Sequence, residues 1–169
     1  MMPRYTFPQL TVRTGITVIA AFACSMIIGV FVLQYFFNVA PCKLCYMQRY
    51  PYYCAFAVCV GAYLLPERAR PYAFLVSGFI FLVSVGLGVY HMGVQWGFWL
   101  GPQDCSDTNS IVSDNADQLL AQLETLTLVS CSEVNFYLFG FSLAAWNTIA
   151  SIFAVLTCLL FWKKIPQTV

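Results

Sequence analysis

The chain has 169 residues, of which 60% are hydrophobic and 9% charged, with a formal net charge of +1. Its mean hydropathy is +0.75. A soluble domain of this size carries about 25% charged residues to cover its surface, so the composition excludes a water-soluble globular protein and turns most of the surface toward lipid.

A helix crossing ~30 Å of hydrocarbon needs about 20 apolar residues at 1.5 Å each. The first run that meets this, residues 14–37, contains no charge and follows Arg4 and Arg13. Its apolar stretch is too long for a cleavable leader and lacks a small-residue cleavage site, which predicts a retained span. Residues 46–65 form a second run, and Arg68 and Arg70 separate it from a third at 72–92. The fourth, about 139–162, ends on Lys163 and Lys164.

These basic groups all fall on one side of the four predicted spans, which the positive-inside rule makes cytoplasmic. Asp104, Asp107, Asp114, Asp117, Glu124 and Glu133 lie on the other side. The expected architecture is therefore an all-α, four-transmembrane-helix bundle, one domain over 1–169. Both termini are cytoplasmic, and the exported loops run over about 38–45 and 93–138. Tyr35, Tyr46, Tyr50, Trp96, Trp99 and Trp146 sit near the outer headgroup level and Trp162 near the inner one, where such rings prefer to lie. In the long loop, Leu119, Leu120, Leu123 and Leu126 recur at helical spacing behind a possible cap at Ser113 or Asp114, which predicts a short helix.

Eight cysteines and a single histidine set the chemistry. Cys42 and Cys45 form C-x-x-C in Pro41-Cys-Lys-Leu-Cys-Tyr-Met-Gln-Arg49, at the outer mouth of the second span. Two sulfurs at this spacing can close an exchange-prone disulfide, and a helix N-terminus with Lys43 and Arg49 nearby favours a thiolate. Arg49 follows Cys45 by four residues and would share its face on a continuous helix, although Pro51 can kink or delay that helix. A static disulfide and half of a zinc site are the competing readings, and zinc would need two further ligands.

Cys105 and Cys131 are the other exported cysteines. A bond between them would close a loop worth roughly 3–4 kcal/mol, so a plain staple competes with a redox role. Asp104, Asp107 and Glu133 around them disfavour thiolate, whereas Lys43 and Arg49 favour it at the first pair. The Cys42–Cys45 pair is accordingly expected to be the stronger oxidant. Cys24, Cys54, Cys59 and Cys158 fall within spans and are expected to pack as small hydrophobes. Arg49 reads either as an interfacial snorkelling cation or as a partner for a thiolate. His91, at the end of the third span, reads as a satisfied interfacial histidine or as a hydrogen-bonding and proton-handling group.

Three stretches taken together are similar to the disulfide bond formation protein B (DsbB) family of membrane thiol:quinone oxidoreductases. They are Pro41 to Pro51, then Tyr90-His-Met-Gly-Val-Gln95 with Trp99 to Cys105, then Cys131-Ser-Glu-Val134 ahead of Leu138-Phe-Gly-Phe-Ser142 and Trp146-Asn147. The resemblance implies that a periplasmic, thioredoxin-fold, DsbA-like dithiol oxidase attacks a Cys105–Cys131 disulfide, first at Cys105. That pair then reduces Cys42–Cys45. Cys45 passes the electrons to a membrane quinone, ubiquinone or menaquinone, with Arg49 supporting charge and His91 near the quinone site. Neither a metal nor a nucleic acid is among the expected ligands.

A structural tetraspan protein with stapled loops is the alternative, and a metal or haem binder is disfavoured by the single histidine. A four-helix enzyme resembling vitamin K epoxide reductase would carry its quinone-proximal C-x-x-C late in the chain. Here that motif opens the second span.

Overall fold

The computed structural model describes residues 6–102, 131 and 137–164. In chain order these form α1 (Thr6–Tyr35), α2 (Lys43–Met47), α3 (Tyr50–Ala62), α4 (Tyr72–Gln95), a two-stranded hairpin of β1 (Tyr137–Leu138) and β2 (Phe141–Ser142), and α5 (Leu143–Lys164). The short loop helix expected around 119–126 lies outside the described residues.

Among the described residues, three helices are long and apolar enough to cross a membrane: Val12–Tyr35, Tyr72–Gln95 and Leu143–Lys164. The chain is thus a mostly helical, multi-pass membrane protein of the all-α class. The expected second span is not one continuous helix. Pro51 lacks an amide hydrogen and its ring crowds the carbonyl one turn earlier, so α2 ends at Met47 and α3 starts afresh with Pro51 in its first turn. At 13 residues, α3 is about 20 Å long.

The expected start of the last span also shifts. Residues 139–142 are hydrophobic but not helical: Phe139 and Gly140 have φ of 52° and 83° and make a left-handed two-residue turn. Tyr137 pairs with Ser142 and Leu138 with Phe141 across it. Such a turn matches the natural twist of two antiparallel strands. The helix begins only at Leu143, where the Ser142 hydroxyl accepts the Ala145 amide at 3.3 Å, a capping bond that satisfies an otherwise orphaned donor.

α4 and α5 pack along most of their length, with α3 against α1 and α4. The α4–α5 seam is made of small residues. Ser77, Ser84 and Gly88 of α4 and Ala144, Thr148, Ser151 and Ala154 of α5 are buried, while Leu82, Phe79, Phe153 and Leu160 are exposed. With lipid as apolar as leucine, helices gain from close backbone approach and from hydrogen bonds between them. A Cβ on Gly88 would overlap the Thr148 side chain and press on its Cα. Ser151 donates to Ser84 at 2.9 Å, and Tyr52 of α3 lies 3.0 Å from Ser151. Phe22, Tyr52 and Phe81 close the centre through edge and tilted ring contacts.

The two ends of the bundle differ in chemistry. At one, Glu67 meets Arg13 at 3.6 Å and Arg70 at 3.5 Å, and Lys163 and Lys164 occupy the last turn of α5. At the other, the C-terminal turns of α1 and α4 and the starts of α3 and α5 surround the C-x-x-C segment.

Candidate functional site

The chain leaves α1 through Asn38, whose φ of 51° turns it back toward the bundle. Cys42 then caps α2: its Sγ accepts the Cys45 amide at 3.3 Å. The same sulfur donates to Cys45 Sγ at 3.0 Å. The pair is therefore built into one short turn, with Cys42 buried and Cys45 partly accessible.

This geometry divides the two thiols. The hydrogen bond to Cys45, together with burial, pushes the Cys42 thiol up to about 12. Accepting that bond holds Cys45 below the ordinary thiol range, against the effect of burial. The Cys42 amide-side contact and the Arg49 charge act in the same direction, Arg49 more weakly. Sequence reasoning reached the cation but not the main cause, which is the neighbouring sulfhydryl. Lys43 is exposed.

Arg49 is buried at the junction of α2 and α3. The helix break means that it does not reach Cys45 by helical spacing. Its guanidinium is held instead by Gln34 of α1, at 2.9 Å, and by the faces of Tyr46 and Phe31 at 4.5 and 5.8 Å. Among the described residues its Nε has no hydrogen-bond partner. A buried cation flanked by rings keeps favourable electrostatics while exposing little charge to lipid.

His91 is inside α4 rather than at its end, because the helix continues to Gln95. Its Nε2 lies 3.6 Å from Cys42 Sγ and its Nδ1 3.1 Å from Gln48 Nε2. Cys42, Cys45 and His91 place their ligating atoms within 4.8 Å of one another. For a metal ion that set is one ligand short of a closed tetrahedral site.

Cys131 is buried in the same small cluster as Cys42, Leu44 and Val94. A negative charge on it would raise Cys45, which puts the two sulfurs within electrostatic reach. Cys105, together with Asp104, Asp107 and Glu133, lies outside the described residues. The structure thus gathers Cys42, Cys45, Arg49, His91 and Cys131.

A cavity of about 530 Å³ opens beside the pair. Its walls are mostly apolar and come from α1 and α5, including Met26, Val30, Leu33 and Ala150. Cys45, Arg49, His91, Gln34, Gln95 and Asn147 supply its polar points. The shape and lining suit an apolar molecule with hydrogen-bond-accepting oxygens. Gln34, Gln48 and Asn147 were not singled out from sequence as site residues. A lone glutamine at the outer end of a charge-free span was the available signal for Gln34.

Of the span cysteines, Cys59 and Cys158 are buried as expected, Cys24 is half-buried, and Cys54 is exposed on the outer face of α3. The expectation of packing thus fails for Cys54.

The family model described as disulfide bond formation protein DsbB matches residues 12–161. The chain is also similar to an uncharacterized protein, RP370, of Rickettsia prowazekii (strain Madrid E), 25% identical over 137 residues that make up 79% of each chain. No solved structure matches it.

Proposed function

Because the chain belongs to the DsbB family of disulfide-forming membrane oxidoreductases, we propose that it is a thiol:quinone oxidoreductase that reoxidises a periplasmic DsbA-like dithiol protein. The observation that carries this reading is the opening of a polarised Cys42–Cys45 pair and a buried arginine onto one apolar cavity. A structural disulfide has no use for either arrangement.

The residues present fit a quinone. The Arg49 Nε has no acceptor among the described residues, and a quinone carbonyl accepts hydrogen bonds and gains from a nearby cation. The apolar walls suit a ring and the start of an isoprenoid tail. When bound, the quinone supplies a sink for two electrons and two protons. The chain does the rest. Cys45 presents the electron-rich sulfur, Arg49 holds negative charge at the cavity, and His91 and Gln48 brace the pair from α4 and the α2–α3 junction.

Electrons reach this pair from the loop cysteines. In the proposed relay the partner dithiol reduces a Cys105–Cys131 disulfide, forming its own disulfide. A loop thiolate then bonds to a sulfur of the Cys42–Cys45 disulfide and breaks that bond, and the second loop thiol completes the exchange. The loop disulfide is restored, and Cys42 and Cys45 are left reduced. The burial of Cys131 against Cys42 supports the short path this needs.

The topology belongs to the same proposal. The fourth crossing is the 46–65 segment, built around the short α3, in a single membrane domain of the inner membrane. The Arg13–Glu67–Arg70 end faces the cytoplasm with both termini, and the cysteine end faces the periplasm.

The test is quinone reduction by the purified protein in detergent, followed optically, with a reduced thioredoxin-fold dithiol oxidase as electron source. Turnover that both Cys45→Ser and Cys105→Ser abolish is expected. Intact disulfides with no turnover across several donors and quinones would favour a structural tetraspan protein.

A further inference from the structure

Gln48 was unremarkable in the sequence, yet it is buried between the cysteine turn and α4. Its Nε2 donates to the Leu87 carbonyl at 3.4 Å. That contact puts the nitrogen end of the amide, not the oxygen end, against α4. The same nitrogen lies 3.1 Å from His91 Nδ1. An amide NH₂ can only donate, so Nδ1 must accept, and in the neutral ring the hydrogen then sits on Nε2. Nε2 faces Cys42 Sγ at 3.6 Å, and Cys42 Sγ donates in turn to Cys45 Sγ at 3.0 Å. Each donor in the series Gln48, His91, Cys42 faces the next group. The series ends on Cys45, whose sulfur lines the cavity beside Arg49.

We propose that Gln48 is a positioning residue: anchored by the Leu87 carbonyl, it locks His91 in the Nε2–H tautomer and so directs the hydrogen bonds of the reduced pair toward Cys45. The imidazole acts by hydrogen bond alone. With the opposite tautomer, the Nε2 lone pair would accept the Cys42 S–H instead. Cys45 would lose its donor, because the Cys42 S–H would be committed to the imidazole. One buried amide thereby decides whether Cys45 keeps the hydrogen bond that makes it the electron-rich sulfur of the pair. The proposal rests on the redox reading for the use made of that choice, but the tautomer can be read without turnover.

His91 is the chain's single histidine, so protein carrying heavy-nitrogen histidine, reduced and in detergent, gives one pair of ring-nitrogen resonances. The parent is expected to show a protonated Nε2 and an unprotonated, pyridine-like Nδ1. In Gln48→Glu a carboxylate replaces the donor and demands the hydrogen on Nδ1, so a protonated Nδ1 signal should appear. Gln48→Leu removes the constraint and should give averaged shifts. Brief alkylation at neutral pH supplies a second readout. The parent should label Cys45 ahead of Cys42, and Gln48→Glu should shrink that lead by slowing the labelling of Cys45. A protonated Nδ1 in the parent overturns the proposal even if no variant folds, and so does an unchanged spectrum in a folded Gln48→Glu. Absence of quinone turnover in a parent with the expected tautomer would instead defeat the functional reading and leave this one standing.

Discussion

Two sets of cysteines occupy this small bundle under opposite conditions. Cys59 and Cys158 lie in the apolar core among Ala55, Phe74 and Ala154, where Cys59 meets the Ser77 hydroxyl at 3.7 Å. Cys42 and Cys45 sit in a turn that supplies a backbone amide, a histidine and, beyond them, an arginine. Both sets contain buried sulfur. What separates them is the supply of directed donors, because a thiolate in a low-dielectric setting forms only where hydrogen bonds and cations replace lost water. Burial alone makes a cysteine inert. Burial with donors makes it selective.

The largest break in this comparison should come from Cys42→Ala. It removes both the disulfide partner and the strongest influence holding Cys45 down. Quinone reduction should fall to background, and the alkylation midpoint of Cys45 should move upward in pH. Arg49→Leu should act in the same direction but less, because the arginine is the weaker of the two influences. A lost charge-assisted contact costs turnover about ten- to a hundredfold. Rate measurements on both variants, with the Cys45 midpoint followed in parallel, check the order. A larger midpoint shift for Arg49→Leu than for Cys42→Ala would reverse the assignment of causes.

The parent protein offers a gentler way to sharpen the contrast. A thiol held low is ionised and reactive above its own midpoint, whereas one pushed up stays protonated until the pH climbs past it. Cys45 is therefore expected to alkylate at and below the ordinary thiol range. Cys42 should resist until the pH approaches about 12, giving two separate steps by mass spectrometry of the reduced protein. A single shared step would mean that the 3.0 Å contact does not divide the pair.

Much of this was legible in the sequence, for reasons that differ by element. The runs at 14–37 and 72–92 and most of the last span read correctly because lipid-facing helices need little more than apolar length. The 139–142 segment misread because Phe139, Gly140 and Phe141 are as hydrophobic as a span, and hydropathy is blind to the sign of φ; Gly140 was the one local signal for a turn. Pro51 announced the break between α2 and α3, but not that Arg49 would stay near Cys45 despite it. The motif singled out Cys42, Cys45 and Arg49, which the structure places around one cavity. Gln34 and Gln48 escaped because their roles are created by contacts 15 and 43 residues away, and one sequence carries no local mark of such contacts. Cys105 and the loop acids fall outside what the structure describes.

The smallest effect is expected from the core thiols, and it bears directly on the comparison. Replacing Cys59 and Cys158 together by alanine removes two buried sulfurs and the Cys59–Ser77 contact, at a cost of about 1 kcal/mol each in stability, read as a lower unfolding midpoint in detergent. Turnover should stay within about twofold of the parent, since neither sulfur lines the cavity and the core supplies no donor series to ionise them. A loss of turnover beyond about tenfold in a double variant whose fold and bound lipid are unchanged would be informative in the other direction. It would mean that electrons or strain pass between the core sulfurs and the Cys42–Cys45 pair, and that donor supply is not what keeps the two sets apart.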